Sequence, residues 1–210
     1  MTPGPTIIRE CSQCGKLMTE HTIGSGNTFG ARFWTDGFRD APMLPDKPWL
    51  VKCPHCDFPV WIDEQKQVGE ISPWSSAVRD GTAFADARPT ITPALQDYEA
   101  FLETATVDQE KEQYVRLRAW WAGNDQRREL GRTKPLGDFE SRNLHALVRL
   151  LGDADDGLVM KAEAYRELGE FSVSESLLAA DFEGPLSQVV SIIRDLNQKR
   201  DPTVAEIHFK

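Results

Sequence analysis

The residues of this chain best placed to do chemistry are its four cysteines, which come as two pairs of identical spacing. One is Cys11-Ser-Gln-Cys14, followed by Gly15; the other is Cys53-Pro-His-Cys56. A two-residue gap lets the backbone turn tightly, so both sulfurs of a pair face one point with main-chain amides directed at them. Gly15 suits the left-handed position that such a turn often requires. Cysteines that staple a secreted domain are usually scattered along it. Two C-x-x-C pairs point instead to metal, since a redox dithiol needs only one pair within a βαβ pattern. Four thiolates make a closed tetrahedral shell with no position left for water or substrate. The expectation is one structural zinc ion per chain on Cys11, Cys14, Cys53 and Cys56. His55 lies inside the second pair and His21 beyond the first; both read as bystanders rather than ligands.

Other chemistry is not spelled out. The chain has no Walker loop, H-E-x-x-H, G-x-S-x-G or dinucleotide fingerprint. Gly24-Ser25-Gly26 opens no predicted helix and reads as a turn. His145 and His208 have no evident acid or nucleophile partner in sequence. The expectation is a protein that is not an enzyme.

The elements that must position the cysteines read as strands. Phe29 to Trp34 is short and aromatic, Asp36-Gly37 is a strong hairpin signal, and Phe38 resumes the pattern. Pro42, Pro45 and Pro48 then prevent regular pairing. Trp49-Leu50-Val51 leads into the second pair and Val60-Trp61-Ile62 leads out. The stretch between the pairs exceeds the usual ribbon spacing of about 15–20 residues, so a zinc ribbon with an enlarged hairpin is expected over 1–63. Gly69, Pro73, Gly81 and Pro89 break up 64–92, which reads as a connector.

Residues 93–210 carry helical signals. Thr92-Pro93 reads as a start, and Thr106-Val-Asp-Gln109 and Ser172-Val-Ser-Glu175 as capping boxes. Leu144, Leu147, Val148 and Leu151 form one apolar stripe; Leu158, Ala162, Tyr165 and Leu168 form another. Gly184-Pro185 opens a helix with Leu186, Val189, Val190 and Ile193 in register. About six helices with short gaps predict antiparallel neighbours. The fold class expected is α+β: a small β-rich ribbon followed by an α-helical bundle.

Ala162-Glu-Ala-Tyr-Arg-Glu-Leu168-Gly169-Glu-Phe171, then Ser174 to Leu178, resembles one tetratricopeptide unit across about residues 157–180. No second copy at the usual period of about 34 residues is clear. With the two cysteine pairs, the whole chain resembles bacterial proteins that place a zinc ribbon before tetratricopeptide-like helices. That resemblance implies an architecture and no activity.

Charge bears on partners. The chain holds 33 acidic and 24 basic side chains, a net −9, which does not favour nonspecific nucleic-acid binding. From Arg116 to Arg149 there are eight basic residues and four acidic; from Asp153 to Asp195 there are ten acidic and three basic. These segments read either as faces that complement each other or as two binding faces of opposite sign. Trp120, Arg127 and Arg128 are the candidate partner-contact residues, tryptophan and arginine being enriched at interface hot spots. No apolar run approaches the roughly 20 residues of a membrane helix, and Met1–Glu10 does not look like a secretion signal. The expectation is a soluble cytoplasmic protein that binds another protein through its helical half, as an interaction or adaptor module. The alternatives are an immunity-type inhibitor of a toxin and a nucleic-acid or transcription-associated ribbon. The sequence does not name the partner.

Overall fold

A computed structural model describes residues 1–74, 84–130 and 134–209; Gly81 and Arg132 lie outside the described residues. The fold is α+β: N-terminal β sheets hold the four cysteines, and six helices follow among the described residues. In chain order the strands are β1 (Thr2–Glu10), β2 (Leu17–Ser25), β3 (Arg32–Trp34), β4 (Arg39–Asp40), β5 (Leu50–Lys52), β6 (Pro59–Trp61), β7 (Lys66–Ile71) and β8 (Arg88–Pro89). The helices are α1 (Leu95–Thr104), α2 (Gln109–Leu130), α3 (Asp138–Leu150), α4 (Asp155–Glu167), α5 (Phe171–Leu177) and α6 (Pro185–Lys199), and β9 (Glu206–Ile207) follows. No described helix is long and apolar enough to cross a membrane.

The chain divides into two compact units. The first comprises Met1–Ala31 and Ala41–Pro93; the second comprises Arg32–Asp40 and Ala94–Lys210. The hairpin between the two cysteine pairs therefore belongs with the helices rather than with the unit that holds the cysteines. Residues 64–92 contain more than a connector, since β7 and β8 are the two outer strands of the first unit's main sheet.

In the first unit the sheet order is β7-β1-β2-β8. β1 and β2 are antiparallel, with Ile8 opposite Thr19 and Arg9 opposite Met18. Side chains alternate across a strand, so Arg9 and Glu20 fall on one face as diagonal neighbours. β5 and β6 form a separate antiparallel pair. Met18, Val51, Val60 and Ile62 pack around Cys11 and Cys53 as one buried cluster. Each such aliphatic side chain is worth about 1.5–3 kcal/mol when fully buried.

In the second unit the expected stripes face inward. Leu144, Leu147 and Val148 pack with Trp120 and Ala164, while Val159 and Ala162 join Leu178, Phe182, Val190 and Ile193. Helix starts differ from the expected caps in three places. The Asp97 carboxylate accepts the Ala94 amide at 2.8 Å, so α1 begins after Thr92-Pro93 with an acidic reach-back. Asp108 rather than Thr106 caps α2, accepting the Lys111 amide at 2.9 Å. Ser172 lies inside α5, which starts at Phe171. Helix α6 begins at Pro185, as Gly184-Pro185 predicts. Gly169, at φ +79°, turns the chain between α4 and α5, forming the expected helix–turn–helix, although α5 has only seven residues.

The hairpin of the second unit pairs Arg32 with Asp40 and Phe33 with Arg39. Its other edge pairs with β9, where Phe33 meets Ile207 and Trp34 meets Glu206. Gly37 sits at the turn with φ +76°, and a Cβ there would lie 2.8 Å from Met160 Sδ. The turn is thus restricted twice, by backbone conformation and by the side chain beneath it.

Candidate metal centre

The two cysteine pairs are built alike. Between β1 and β2, the Cys11 amide donates to Lys16 O at 2.9 Å and the Gly15 amide donates to Cys11 O at 2.8 Å. Between β5 and β6, the Cys53 amide donates to Phe58 O and the Asp57 amide to Cys53 O, both at 3.0 Å. Gly15 and Asp57 occupy the equivalent left-handed position, with φ +70° and +56°; aspartate is among the few non-glycine residues that adopt it readily.

All four sulfurs lie within 4.8 Å of one another. Cys11 Sγ is 4.0 Å from Cys56 Sγ, and Cys14 Sγ is 3.7 Å from Cys53 Sγ. A disulfide holds its sulfurs about 2.05 Å apart, so these are four separate thiols. A tetrahedron of sulfurs with metal bonds of about 2.3 Å has edges of about 3.8 Å. The donor set therefore fits a tetrahedral metal ion. Cys11 and Cys53 are buried, Cys14 is half-buried and Cys56 is exposed.

Amide groups already point at the sulfurs. The Lys16 amide pulls the Cys14 thiol below its ordinary pKa against the opposing effect of burial. Burial pushes Cys53 up to about 12, and the amides of His55 and Cys56 only partly offset it. At Cys56 the Phe58 amide lowers the thiol, but burial and neighbouring sulfur leave it raised. Gathering four thiolates here is unfavourable for the protein alone, and a dication at their centre would supply the missing charge.

The surroundings fix the first pair against the strands of the second. The buried Gln65 side chain accepts the Ser12 amide at 2.9 Å and donates to Trp61 O at 3.1 Å. Its main-chain carbonyl takes an Arg9 N–H at 2.9 Å. Arg9 also donates to Glu20 at 2.6 Å and to Asp63 at 2.9 Å, and Lys47 bridges the same two carboxylates. His55 Nε2 is 3.0 Å from Leu17 O, and His21 Nδ1 is 3.3 Å from Thr6 Oγ1. Neither belongs to the sulfur cluster.

The other candidate residues lie in the interior of the second unit. Trp120 is buried, and its indole N–H donates to Glu167 at 2.9 Å. Buried Arg127 donates to Gly123 O, Lys134 O, Pro135 O and Asn124, and pairs with Glu140 at 2.7 Å. Arg128 pairs with Asp36 and Asp125, donates to Trp121 O, and lies over the Phe38 ring. Their side chains are almost wholly buried and most of their donors are taken up inside the fold, Arg128 Nε having no partner, so they form no exposed contact patch. The local excess of positive charge is likewise taken up at several points, as Arg116 pairs with Glu112 and Arg142 with Glu99.

Sequence reasoning missed a buried polar network around α4. Asn124 Nδ2 is 2.9 Å from Asp36 Oδ2 and 3.0 and 3.1 Å from the two Glu167 oxygens. Fully buried Arg166 pairs with fully buried Glu163 at 2.5 Å. Burial, together with the negative charges of Glu163 and Asp36, pushes Glu167 up to about 8. Burial also raises Asp36, although Arg128 and Asn124 oppose it. The available signal was negative: Glu163, Arg166 and Glu167 occupy a helix whose small and apolar residues leave no wholly polar face.

No protein-family model matches the chain, and comparisons with curated proteins and with solved structures give no match. The features shown are a four-cysteine cluster and a helical C-terminal region, with no family assigned.

Proposed function

We propose that Cys11, Cys14, Cys53 and Cys56 hold one structural zinc ion, and that the protein is a non-enzymatic interaction or adaptor protein whose partner is another protein. Coordination by four cysteines is a common closed zinc site, and its full shell offers no place for a substrate. The observation that carries the partner reading is the exposure of large apolar side chains on the metal-bearing unit. Phe29 is 88% exposed, Trp74 75%, Phe58 47% and Trp49 42%. Aromatic side chains, tryptophan above all, are enriched at interface hot spots. This moves the proposed contact surface away from Trp120, Arg127 and Arg128, which are internal.

The test uses full-length protein as bait in lysate of its native cell, beside a triple variant carrying Phe29→Ser, Phe58→Ser and Trp74→Ser. The expected result is a protein captured by the wild type and lost by the variant, with equal zinc content in both. Capture that the variant leaves unchanged defeats the surface assignment. Tight, salt-sensitive binding of DNA or RNA without a protein partner favours the nucleic-acid reading instead.

A further inference from the structure

We infer that the Arg32–Asp40 hairpin links metal binding in the first unit to the integrity of the helical unit, so that the helices respond to whether the cysteine site is filled. The inference rests on the metal-site reading above and concerns a consequence that a closed structural site does not by itself imply.

Chain order supplies the link. Cys11 and Cys14 precede the hairpin and Cys53 and Cys56 follow it. The chain leaves the first unit after Ala31, contributes the hairpin to the second, and returns at Ala41. The hairpin is part of the second unit's interior. Asp36 is buried and takes N–H groups from Asn124 and Arg128. Its carbonyl accepts the Trp121 indole N–H at 2.9 Å. The Thr35 amide donates to Ala205 O at 2.9 Å, and the Ala205 amide returns to Thr35 Oγ1 at 3.1 Å. Phe38 meets the Trp121 ring with centroids 5.6 Å apart.

Two closures therefore draw on the same two stretches of chain, 15–31 and 41–52. Metal binding brings Cys14 and Cys53 together and orders β2 and β5 within those stretches. Seating the hairpin holds their far ends. Ordering a chain segment costs entropy once, so whichever closure forms first lowers the cost of the other. Linkage of this kind is reciprocal: if zinc tightens the hairpin's seat, the seated hairpin tightens zinc binding by the same factor. The hairpin is the element that carries the metal state into α2 and α4.

The test has two arms on the full chain. In the first, hydrogen exchange is followed in wild-type protein before and after zinc is stripped with a chelator. The expected result is faster exchange, by about tenfold, at Arg32–Asp40 and along α2 near Asn124, as well as throughout the first unit. In the second, zinc affinity is measured by chelator competition for Asp36→Ala and for Ile193→Val. Asp36→Ala is expected to bind zinc at least about fivefold more weakly, although it removes no ligand. Ile193→Val trims the core of α4–α6 away from the hairpin and should bind zinc like the wild type. Exchange that rises only in 1–31 and 41–93, or Asp36→Ala with wild-type affinity, overturns the inference, as does an equal loss in Ile193→Val. If Asp36→Ala does not fold, the exchange arm decides alone. A wild-type chain that takes up no zinc removes the metal-site reading and the inference with it.

Discussion

A carboxyl group sealed among other carboxyls, as Glu167 is beside Glu163 and Asp36, binds its proton more tightly than the unfolded chain does. Its folded value of about 8 lies above the ordinary 4.5. Between those values the folded form keeps a proton that the unfolded form releases. The stabilising contribution is therefore full below the ordinary value and is lost as pH rises toward about 8. The limiting slope is about 1.4 kcal/mol per pH unit. Glu167→Gln keeps an acceptor for Trp120 and Asn124 without the titration. Urea unfolding near pH 6.5 and pH 8 should show wild-type stability falling with pH relative to the variant; parallel behaviour would place the proton elsewhere. Gln65 gives a second residue-scale expectation. Gln65→Leu removes the acceptor of the Ser12 amide, and outer-shell losses at metal sites cost about 10–100-fold in affinity. Chelator competition should show at least about tenfold weaker zinc retention, with Gln65→Glu closer to wild type because it keeps that acceptor. The cysteines were legible because their spacing alone specifies their chemistry. Gln65, Glu167 and the internal pairing of Arg127 and Arg128 were not, because each depends on partners brought together by tertiary folding.

Elements were legible where local signals act alone. Asp36-Gly37 gives a turn, Gly184-Pro185 opens α6, and Leu144, Leu147 and Val148 form one buried stripe. The two long strands flanking the first cysteine pair were hidden. Pro3, Gly4 and Pro5 interrupt the signal of β1, whose pairing with β2 shifts register twice near its start. β7 was hidden by Gly69, where a Cβ would fall 2.3 Å from Phe84 Cζ. The largest revision concerns the hairpin, whose turn is local but whose allegiance is set by distant Asn124, Met160 and Ala205. Replacing residues 32–40 with glycine and serine of equal length should strip Arg128 and Asn124 of Asp36. Breaking buried ion pairs of this type costs about 3–5 kcal/mol. Urea unfolding followed on the helical circular dichroism signal should move to a lower midpoint. An unchanged midpoint would show that α1–α6 do not need the hairpin.

At the scale of the whole molecule, the metal site and the helical bundle make different demands. Structural zinc contributes about 10–16 kcal/mol in isolated fingers, so the first unit should depend on its ion much more strongly than the helices do. Cys11→Ser and Cys53→Ser should each release zinc and open 1–31 and 41–93 to protease, while most of the helical circular dichroism remains. Full zinc retention by both variants would refute the four-cysteine site. The three passages of the chain between units, after Ala31, Asp40 and Pro93, also set an order for assembly on the ribosome. Synthesis runs from the N-terminus at about 5–20 residues per second. Cys56 is made well before α2, so all four sulfurs can meet while the hairpin has no helix to receive it. Asp36 then waits for Asn124 and Arg128, and Thr35 longer still for Ala205. A nascent chain of this protein would thus have its four sulfurs available to a metal ion while Trp34, Asp36 and Phe38 are still in water, dependent on whatever shields a growing chain until α2 to α6 emerge.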